Sequence, residues 1–242
     1  MGTDVAKTNP FGNVSLRNSE AMAETLAASA SKGALGVAPD GCEYLNFSGK
    51  TGTYGFGREK EDVDPSELWL VNVAAFQDGF ICWKGGNAIS KRLYYIFSEP
   101  AVETPATDEL GPFDKEGEGW FAAKAMIIRS LDDPDRQAYF AINSRSGVAA
   151  MADLQAQVAD KLRAGEPCWP IVQLGKEKFE AKGYKNFKPV FEVYGWLSDD
   201  ALQELADNPN ADVEALLDMA GGVEPEPEPE PEPARRPARR RV

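Results

Sequence analysis

The stretch Gly175–Trp196 constrains the fold of this chain more than any other, because it ends in a strict alternation of residue types. From Val190 to Trp196, two sets of side chains alternate along the chain, and a period of two is the spacing of a β-strand. The preceding Gly175–Lys188 carries five lysines against two glutamates, with three aromatic residues among them. This pattern predicts a basic, aromatic loop that leads into a strand.

Similar short patterns, separated by turn signals, occur along much of the chain. They predict about seven short strands, two of which form a hairpin across Gln77-Asp78, with a second turn at Gly85-Gly86-Asn87. Besides the stretch above, the predicted strands are Glu43–Ser48, Leu68–Phe76, Gly79–Lys84, Lys91–Phe97, Trp120–Leu131, Gln137–Asn143 and Cys168–Leu174.

Helical spacing is strong at one place within this series of strands. Val148–Arg163 has four apolar residues on one helix face, and Gly165 follows it. The four residues are Met151, Leu154, Val158 and Leu162. An alanine-rich helix is predicted before the strands, at Asn18–Lys32, and two short acidic helices after them, at Ala201–Ala206 and Asp212–Ala220.

Many strands with one late helix predict a mainly β fold of the α+β class. We expect an OB-like small β-barrel with one inserted helix, flanked by an N-terminal helix and acidic C-terminal helices. A β-sandwich is the alternative. The expected division of the chain is a flexible arm with the short helix (1–44), the barrel domain (45–197), an acidic helical segment (198–222) and a disordered Glu-Pro/Arg tail (223–242).

The charge of the chain is unevenly distributed. The formal net charge is −13, but residues 198–222 hold seven acidic residues and no basic one. The lysines of Gly175–Lys188 lie within the expected barrel domain instead. Because a basic stripe can attract a polyanion when the acid of the chain lies elsewhere, the charge does not exclude nucleic acid as a partner.

The absence of histidine narrows the chemistry. The chain has no histidine and three scattered cysteines, which excludes histidine-dependent nucleophiles and zinc sites built from histidine or four thiolates. The acidic run Asp132-Asp133-Pro134-Asp135 could bind magnesium, but a tight hairpin turn needs the same residue types. We expect a protein without catalytic activity, cofactor or metal.

The same sequence gives an expectation for location. The N-terminal residues lack the charged-then-apolar pattern of a signal peptide, and no run of about 18 apolar residues occurs. Scattered cysteines suit a reducing compartment. We therefore expect a cytoplasmic protein that does not associate with membranes.

One short motif imitates a nucleotide-binding loop. Gly49-Lys50-Thr51 matches the end of a Walker loop, but the glycine that such a loop requires is replaced by Tyr44, and no helix pattern follows. We interpret the segment as a glycine-rich turn. The residues it is expected to expose are Lys50, Tyr54, Phe56 and Arg58.

Candidate nucleic-acid contacts are ring faces that stack on bases beside cations that meet phosphates. Trp83 is selected because Lys84 and a Gly-Gly turn follow it, and Tyr94 because it adjoins Lys91 and Arg92. A lysine-rich edge that only discourages sheet-to-sheet aggregation is the alternative interpretation. The predicted binding residues are Lys50, Tyr54, Arg58, Trp83, Lys84, Lys91, Arg92, Tyr94, Lys182, Tyr184, Lys185, Phe187 and Lys188.

Several short motifs between Asn46 and Trp196 follow one another in a characteristic order. They are Phe47–Gly52, Gly79–Asn87, Ser144–Gly147, Pro170–Gly175, Tyr184, Pro189-Val190-Phe191 and Gly195-Trp196. In this order they resemble a family of tailed-bacteriophage proteins encoded among replication and recombination genes. The resemblance implies a phage single-stranded-DNA-binding protein with an OB-like core.

Together these observations favour a non-catalytic single-stranded-DNA-binding protein of phage DNA replication or recombination, located in the cytoplasm of the host cell. Its acidic C-terminal region is expected to recruit replication or recombination proteins, and self-association into a homo-oligomer stays open. The alternative is an acidic protein-interaction or DNA-mimic module that acts as an inhibitor or as a virion accessory protein.

Overall fold

A computed structural model describes residues 41–181 and 184–219 of the chain, with the backbone alone at positions 181, 184 and 219. The predicted N-terminal helix Asn18–Lys32 and the Glu-Pro/Arg tail lie outside the described residues. The structure therefore bears on the barrel and on the acidic segment that follows it.

Over the described residues the fold is mainly β, and the nine strands found there form one sheet in the order β3-β2-β1-β7-β6-β4-β8-β9, with β5 paired to β4 beside this path. Neighbouring strands are antiparallel except β1 and β7, which are parallel. The strands are β1 (Glu43–Ser48), β2 (Thr53–Phe56), β3 (Glu61–Asp62), β4 (Leu68–Lys84), β5 (Asn87–Tyr95), β6 (Gly119–Ser130), β7 (Gln137–Ile142), β8 (Trp169–Ala181) and β9 (Tyr184–Leu197).

The sheet curls into a half-closed barrel, so that strands from its two ends meet. The Phe187 N–H of β9 donates a hydrogen bond to the Gly49 carbonyl in the β1–β2 turn (2.8 Å). In the interior, the Phe140 ring lies 6.2 Å from the Tyr54 ring and 5.6 Å from the Phe191 ring, between centroids. The expected OB-like, mainly β architecture is confirmed. Because the described strands form a single sheet, a sandwich of two sheets is not observed.

The predicted hairpin across Gln77-Asp78 is wrong, because these residues lie inside the 17-residue strand β4. Both polar side chains are buried and have partners there. The Lys124 ammonium lies 2.9 Å from each carboxylate oxygen of Asp78, and the Tyr139 hydroxyl donates to the Gln77 side-chain oxygen (2.8 Å). A polar pair that looks like a turn signal in the sequence is thus held within the sheet by a buried ion pair and a hydrogen bond.

The true turn of this hairpin is Gly85-Gly86, as predicted for the second turn. Lys84 pairs with Asn87, so the loop has two residues, and the φ angles of the two glycines are 59° and 78°. Positive φ at both positions matches the right-handed twist of the flanking strands and favours glycine.

The loop predicted for the basic stretch Gly175–Lys188 is also wrong, because this stretch forms the far end of the β8–β9 hairpin. Its pairing continues from Gly175↔Val190 to Ala181↔Tyr184. Successive side chains along each strand point to opposite faces, so that Lys176, Lys178 and Glu180 lie on one face and Glu177 and Phe179 on the other.

The helices follow the predictions closely. Helix α1 (Arg145–Ala164) lies between β7 and β8, and the Ser144 hydroxyl caps it by accepting from the Gly147 N–H (3.2 Å). Its four predicted apolar residues are buried. The segment Ser144–Gly147 supplies the cap and the first helical residues.

Two short acidic helices complete the described chain, α2 (Asp199–Asp207) and α3 (Val213–Met219). Four of their leucines join the main hydrophobic core, and Leu217 lies against Gly195 of β9. The four are Leu202, Leu205, Leu216 and Leu217. The acidic helices therefore pack on the barrel by their apolar faces.

Candidate nucleic-acid interface

A cleft of about 490 Å³ opens where β1 separates from β7. The two strands pair through Glu43–Leu45, and the following Asn46–Ser48 continue in register with β2. The β4–β5 hairpin borders the cleft on one side and the β8–β9 hairpin on the other. The residues that line it are Tyr44, Leu45, Asn46, Phe47, Gly49, Ile81, Trp83, Ala88, Lys91, Ala141, Ile142, Asn143, Ser144, Ser146, Phe179, Asn186 and Phe187.

Five of these residues are aromatic, and Tyr44 is the most accessible, with 40% of its surface exposed. Its ring stands edge-on to the buried Tyr139 ring, with 5.7 Å between centroids. The Lys91 ammonium lies 5.2 Å from the Tyr44 centroid. This contact brings a cation beside an exposed ring face, which is the combination that a nucleotide requires.

Trp83 stands between this cleft and a second depression of about 690 Å³, which Phe121 and Arg145 also line. The Trp83 side chain is half-buried, and its indole N–H is buried without a hydrogen-bond partner among the described residues. A buried donor without a partner costs free energy.

The N-terminus of α1 forms one end of the cleft through Ser144 and Ser146. Helix α1 has no acidic residue in its first turn, and the exposed Arg145 is its first residue. The amide groups and partial positive charge of a helix N-terminus attract anions. This end of the cleft is therefore suited to a phosphate group.

The electrostatics of the cleft differ from those of the whole chain. None of the described residues that line it is acidic, and Lys91 contributes a positive charge. The chain as a whole carries −13. The described lining of this cleft is therefore free of acidic side chains where three aromatic residues from separate strands, Tyr44, Trp83 and Phe179, come together.

The cleft gathers part of the predicted binding set. Trp83, Lys91 and Phe187 line it, and the exposed Lys50 lies in the β1–β2 turn whose Gly49 forms its lower edge. Exposed Arg58 and Lys185 lie outside it. Lys182 lies outside the described residues, and the side chain of Tyr184 is not described.

Two predicted contacts are wrong, because Tyr54 and Tyr94 are only 6% and 8% exposed. Tyr54 packs against Phe47 (4.9 Å between centroids), and its hydroxyl donates to the Gly175 carbonyl (2.8 Å). Burial raises the pKa of Tyr54, and burial together with the Asp78 charge raises the pKa of Tyr94. Neither ring can stack on a base.

Three predicted cations are half-buried and already have partners. Arg92 forms an ion pair with Glu109 and lies 4.7 Å from the Trp120 ring. The Lys84 ammonium lies 6.0 Å from the Phe113 centroid. The third is Lys188, whose ammonium pairs with a Glu177 oxygen at 2.8 Å. Because they are half-buried, these cations are less accessible to a ligand than Lys91, which also lies over a ring but is exposed.

Sequence reasoning missed four residues of the cleft, Tyr44, Phe47, Phe179 and Asn186. Tyr44 was noted only as the residue that spoils a Walker loop. The alternation in Glu43–Ser48 was available as a signal, because it gives this strand a buried Leu45 between exposed Tyr44 and Asn46. The pairing of β1 with β7, which turns that exposed side toward the cleft, cannot be obtained from a local pattern.

Within 41–181 and 184–219, no group of three or more histidine, cysteine, aspartate or glutamate residues could hold a metal ion. The acidic run at Asp132–Asp135 is a turn in which the Asp133 carboxylate accepts from the Asp135 N–H (3.2 Å). In this part of the chain, no helix is both long enough and apolar enough to cross a membrane.

Comparisons of the chain with models of protein families, with curated proteins and with solved structures gave no match. A functional assignment therefore rests on the chemistry of the cleft.

Proposed function

We propose that this protein binds single-stranded DNA in the cleft between the β4–β5 and β8–β9 hairpins, without catalysing a reaction. The observation that carries the proposal is an aromatic cleft with a lysine and no described acidic lining residue, in a chain of net charge −13. A polyanion with flat apolar bases matches this combination of surface and charge.

The expected contacts divide by chemistry. The rings of Tyr44, Trp83 and Phe179 offer stacking faces, each worth about 1–3 kcal/mol per base. Lys91, together with the N-terminus of α1, attracts phosphates. Because bases in a duplex are already stacked on one another, an aromatic cleft favours a single strand whose bases can turn outward.

The setting of this activity is proposed from the sequence motifs. Their resemblance to tailed-bacteriophage proteins supports a role in phage DNA replication or recombination, in the cytoplasm of the host cell. The acidic helices α2 and α3 and the tail that follows them are then the surfaces for replication or recombination proteins.

The proposal is tested by titrating a fluorescein-labelled oligo-dT with the full chain at low and high salt. We expect saturable binding that weakens as salt rises, because phosphate contacts release counterions. Tyr44→Ala and Trp83→Ala should each weaken binding about 5- to 150-fold, the range that corresponds to one lost stacking contact.

Tyr194→Ala is the matched control for Tyr44→Ala, because Tyr194 is 41% exposed and does not line the cleft. Lys91→Gln should flatten the salt dependence of binding by about 0.7, the value of one phosphate contact, and its control is Arg163→Gln in the last turn of α1. Equal losses from the cleft variants and their controls would contradict the proposal. Absence of binding at both salt concentrations would instead favour the protein-interaction or DNA-mimic alternative.

A further inference from the structure

The β8–β9 hairpin has two chemically different faces. Paired residues of antiparallel strands point to the same side, and side chains alternate along each strand. The pairs Phe179↔Asn186 and Glu177↔Lys188 therefore share one face. Phe179 and Asn186 line the cleft, whereas Glu177 and Lys188 form an ion pair with each other.

The opposite face carries the remaining described lysines of the hairpin. It is formed by the pairs Lys176↔Pro189, Lys178↔Phe187 and Glu180↔Lys185. We call this surface the lysine face; it comprises Lys176, Lys178, Lys185, Glu180 and Phe187. Its three lysines are exposed, and three lysines against one glutamate leave it with a formal charge of +2.

The lysine face touches the edge of the cleft at Phe187. The Phe187 N–H bonds to the Gly49 carbonyl, which lies at the lower edge of the cleft. Its ring lies on the other side of this contact, 5.6 Å from the Lys176 ammonium. A Cβ atom at Gly52 would come within 2.7 Å of both Phe187 and Lys176, so the turn packs closely on this face.

We propose that the lysine face is a second binding surface, which takes the phosphate backbone of the DNA strand after it leaves the cleft across the Gly49–Phe187 contact. This inference rests on the proposed function. We favour the same DNA strand over a second one because the two surfaces are contiguous. They share Phe187, and the exposed Lys50 lies in the turn between them. The lysines of this face would hold phosphates without selecting bases.

The test compares two lengths of oligo-dT on the full chain and on the variant Lys176→Gln/Lys178→Gln/Lys185→Gln. The short oligomer has about 5 nucleotides and the long one about 16, which spans the site sizes seen for one OB fold. Each phosphate contact with a single strand adds about 0.7 to the slope of log affinity against log salt.

For the long oligomer we expect the triple variant to flatten this slope by about 2. When the salt rises from about 50 to about 200 mM, the factor by which the variant loses affinity should then be about 15-fold smaller than that for the unaltered protein. For the short oligomer, which the cleft alone can hold, we expect the slope of the variant to equal that of the unaltered protein.

Two further variants separate a lost contact from a general effect of charge or folding. Lys115→Gln/Lys161→Gln/Arg163→Gln removes the same charge from other elements and should leave both slopes unchanged. Lys176→Arg/Lys178→Arg/Lys185→Arg keeps the charge and should restore the slope for the long oligomer.

Equal slopes for the unaltered protein and the glutamine variant at both lengths would overturn the proposal, as would an equal flattening at both lengths. In either case binding of the short oligomer would continue. Failure of the proposed function is distinguishable, because then neither oligomer would bind.

Discussion

The two hairpins that border the cleft are both basic and aromatic in sequence, but their cations are used differently. In the β4–β5 hairpin, Arg92 pairs with Glu109 and Lys84 lies over Phe113. Glu109 and Phe113 both belong to the segment between β5 and β6. In the β8–β9 hairpin, Lys188 pairs with Glu177 on one face, while the lysine face opposite is exposed.

The difference shows that a count of lysines and arginines does not measure the charge that a ligand meets. A carboxylate beside a cation cancels most of its field at the distance of a phosphate. The β4–β5 hairpin thus offers the Trp83 ring and one exposed cation, Lys91, which lies over the Tyr44 ring. The β8–β9 hairpin offers the Phe179 ring on one face and three exposed lysines on the other.

The largest expected effect concerns stability and contrasts buried with exposed lysines. Lys124→Met should lower the free energy of unfolding by about 3–5 kcal/mol, because it leaves the Asp78 carboxylate buried beside β5 without its cation. Lys178→Met on the exposed lysine face should change it by no more than about 0.5 kcal/mol. Urea unfolding followed by circular dichroism measures both.

The control for the first substitution is Asp78→Leu/Lys124→Met, which replaces the whole pair by apolar groups. It should recover most of the lost stability, because replacing both charges of a buried pair costs far less than removing one. If the double variant were as unstable as Lys124→Met, the ion pair would not be what holds β4 to β6 at this point.

A smaller effect should separate the two hairpins in DNA binding. Lys185→Gln should flatten the salt dependence of oligo-dT binding by about 0.7, the value of one phosphate contact. Arg92→Gln should change it less, because Glu109 already neutralises this cation. Glu109→Gln should steepen it by releasing Arg92. Flattening by Arg92→Gln as large as that by Lys185→Gln would remove the distinction between the hairpins.

The smallest effect is expected at Tyr94, which is buried beside Asp78. Tyr94→Phe should leave the affinity for oligo-dT unchanged and change the free energy of unfolding by no more than about 1 kcal/mol, because the buried ring keeps its packing when only the hydroxyl is removed. Fluorescence titration and urea unfolding measure the two quantities. A several-fold loss of affinity with stability intact would show that Tyr94 becomes accessible to DNA.

Local patterns were sufficient for most of the fold. The alternation in Glu43–Ser48 and the helical spacing of Val148–Arg163 each predicted an element that is observed. These signals succeed because one face of each element is buried and the other is not. The turn predicted at Gln77-Asp78 is wrong because this rule does not hold there: both residues are polar but buried, with partners from distant strands. No local rule distinguishes such a pair from a turn.

The candidate site was less predictable, because it depends on which strands become neighbours. Trp83 was selected from its position before a Gly-Gly turn, and it lines the cleft. Tyr54 was selected from the same kind of local context, yet the curl of the sheet buries it against Phe47 and Phe140. Tyr44 was missed because its exposure to the cleft follows from the parallel pairing of β1 with β7.

Strand β4 connects the two hairpins, because it pairs with strands of both. Its first residues, Leu68–Leu70, pair with β8, and its last part, Gln77–Lys84, pairs with β5. Between these parts, its register with β6 shifts between Asn72 and Gln77. One continuous strand with an irregular register between Asn72 and Gln77 therefore connects the two hairpins that border the cleft, and the path of this segment contributes to their separation.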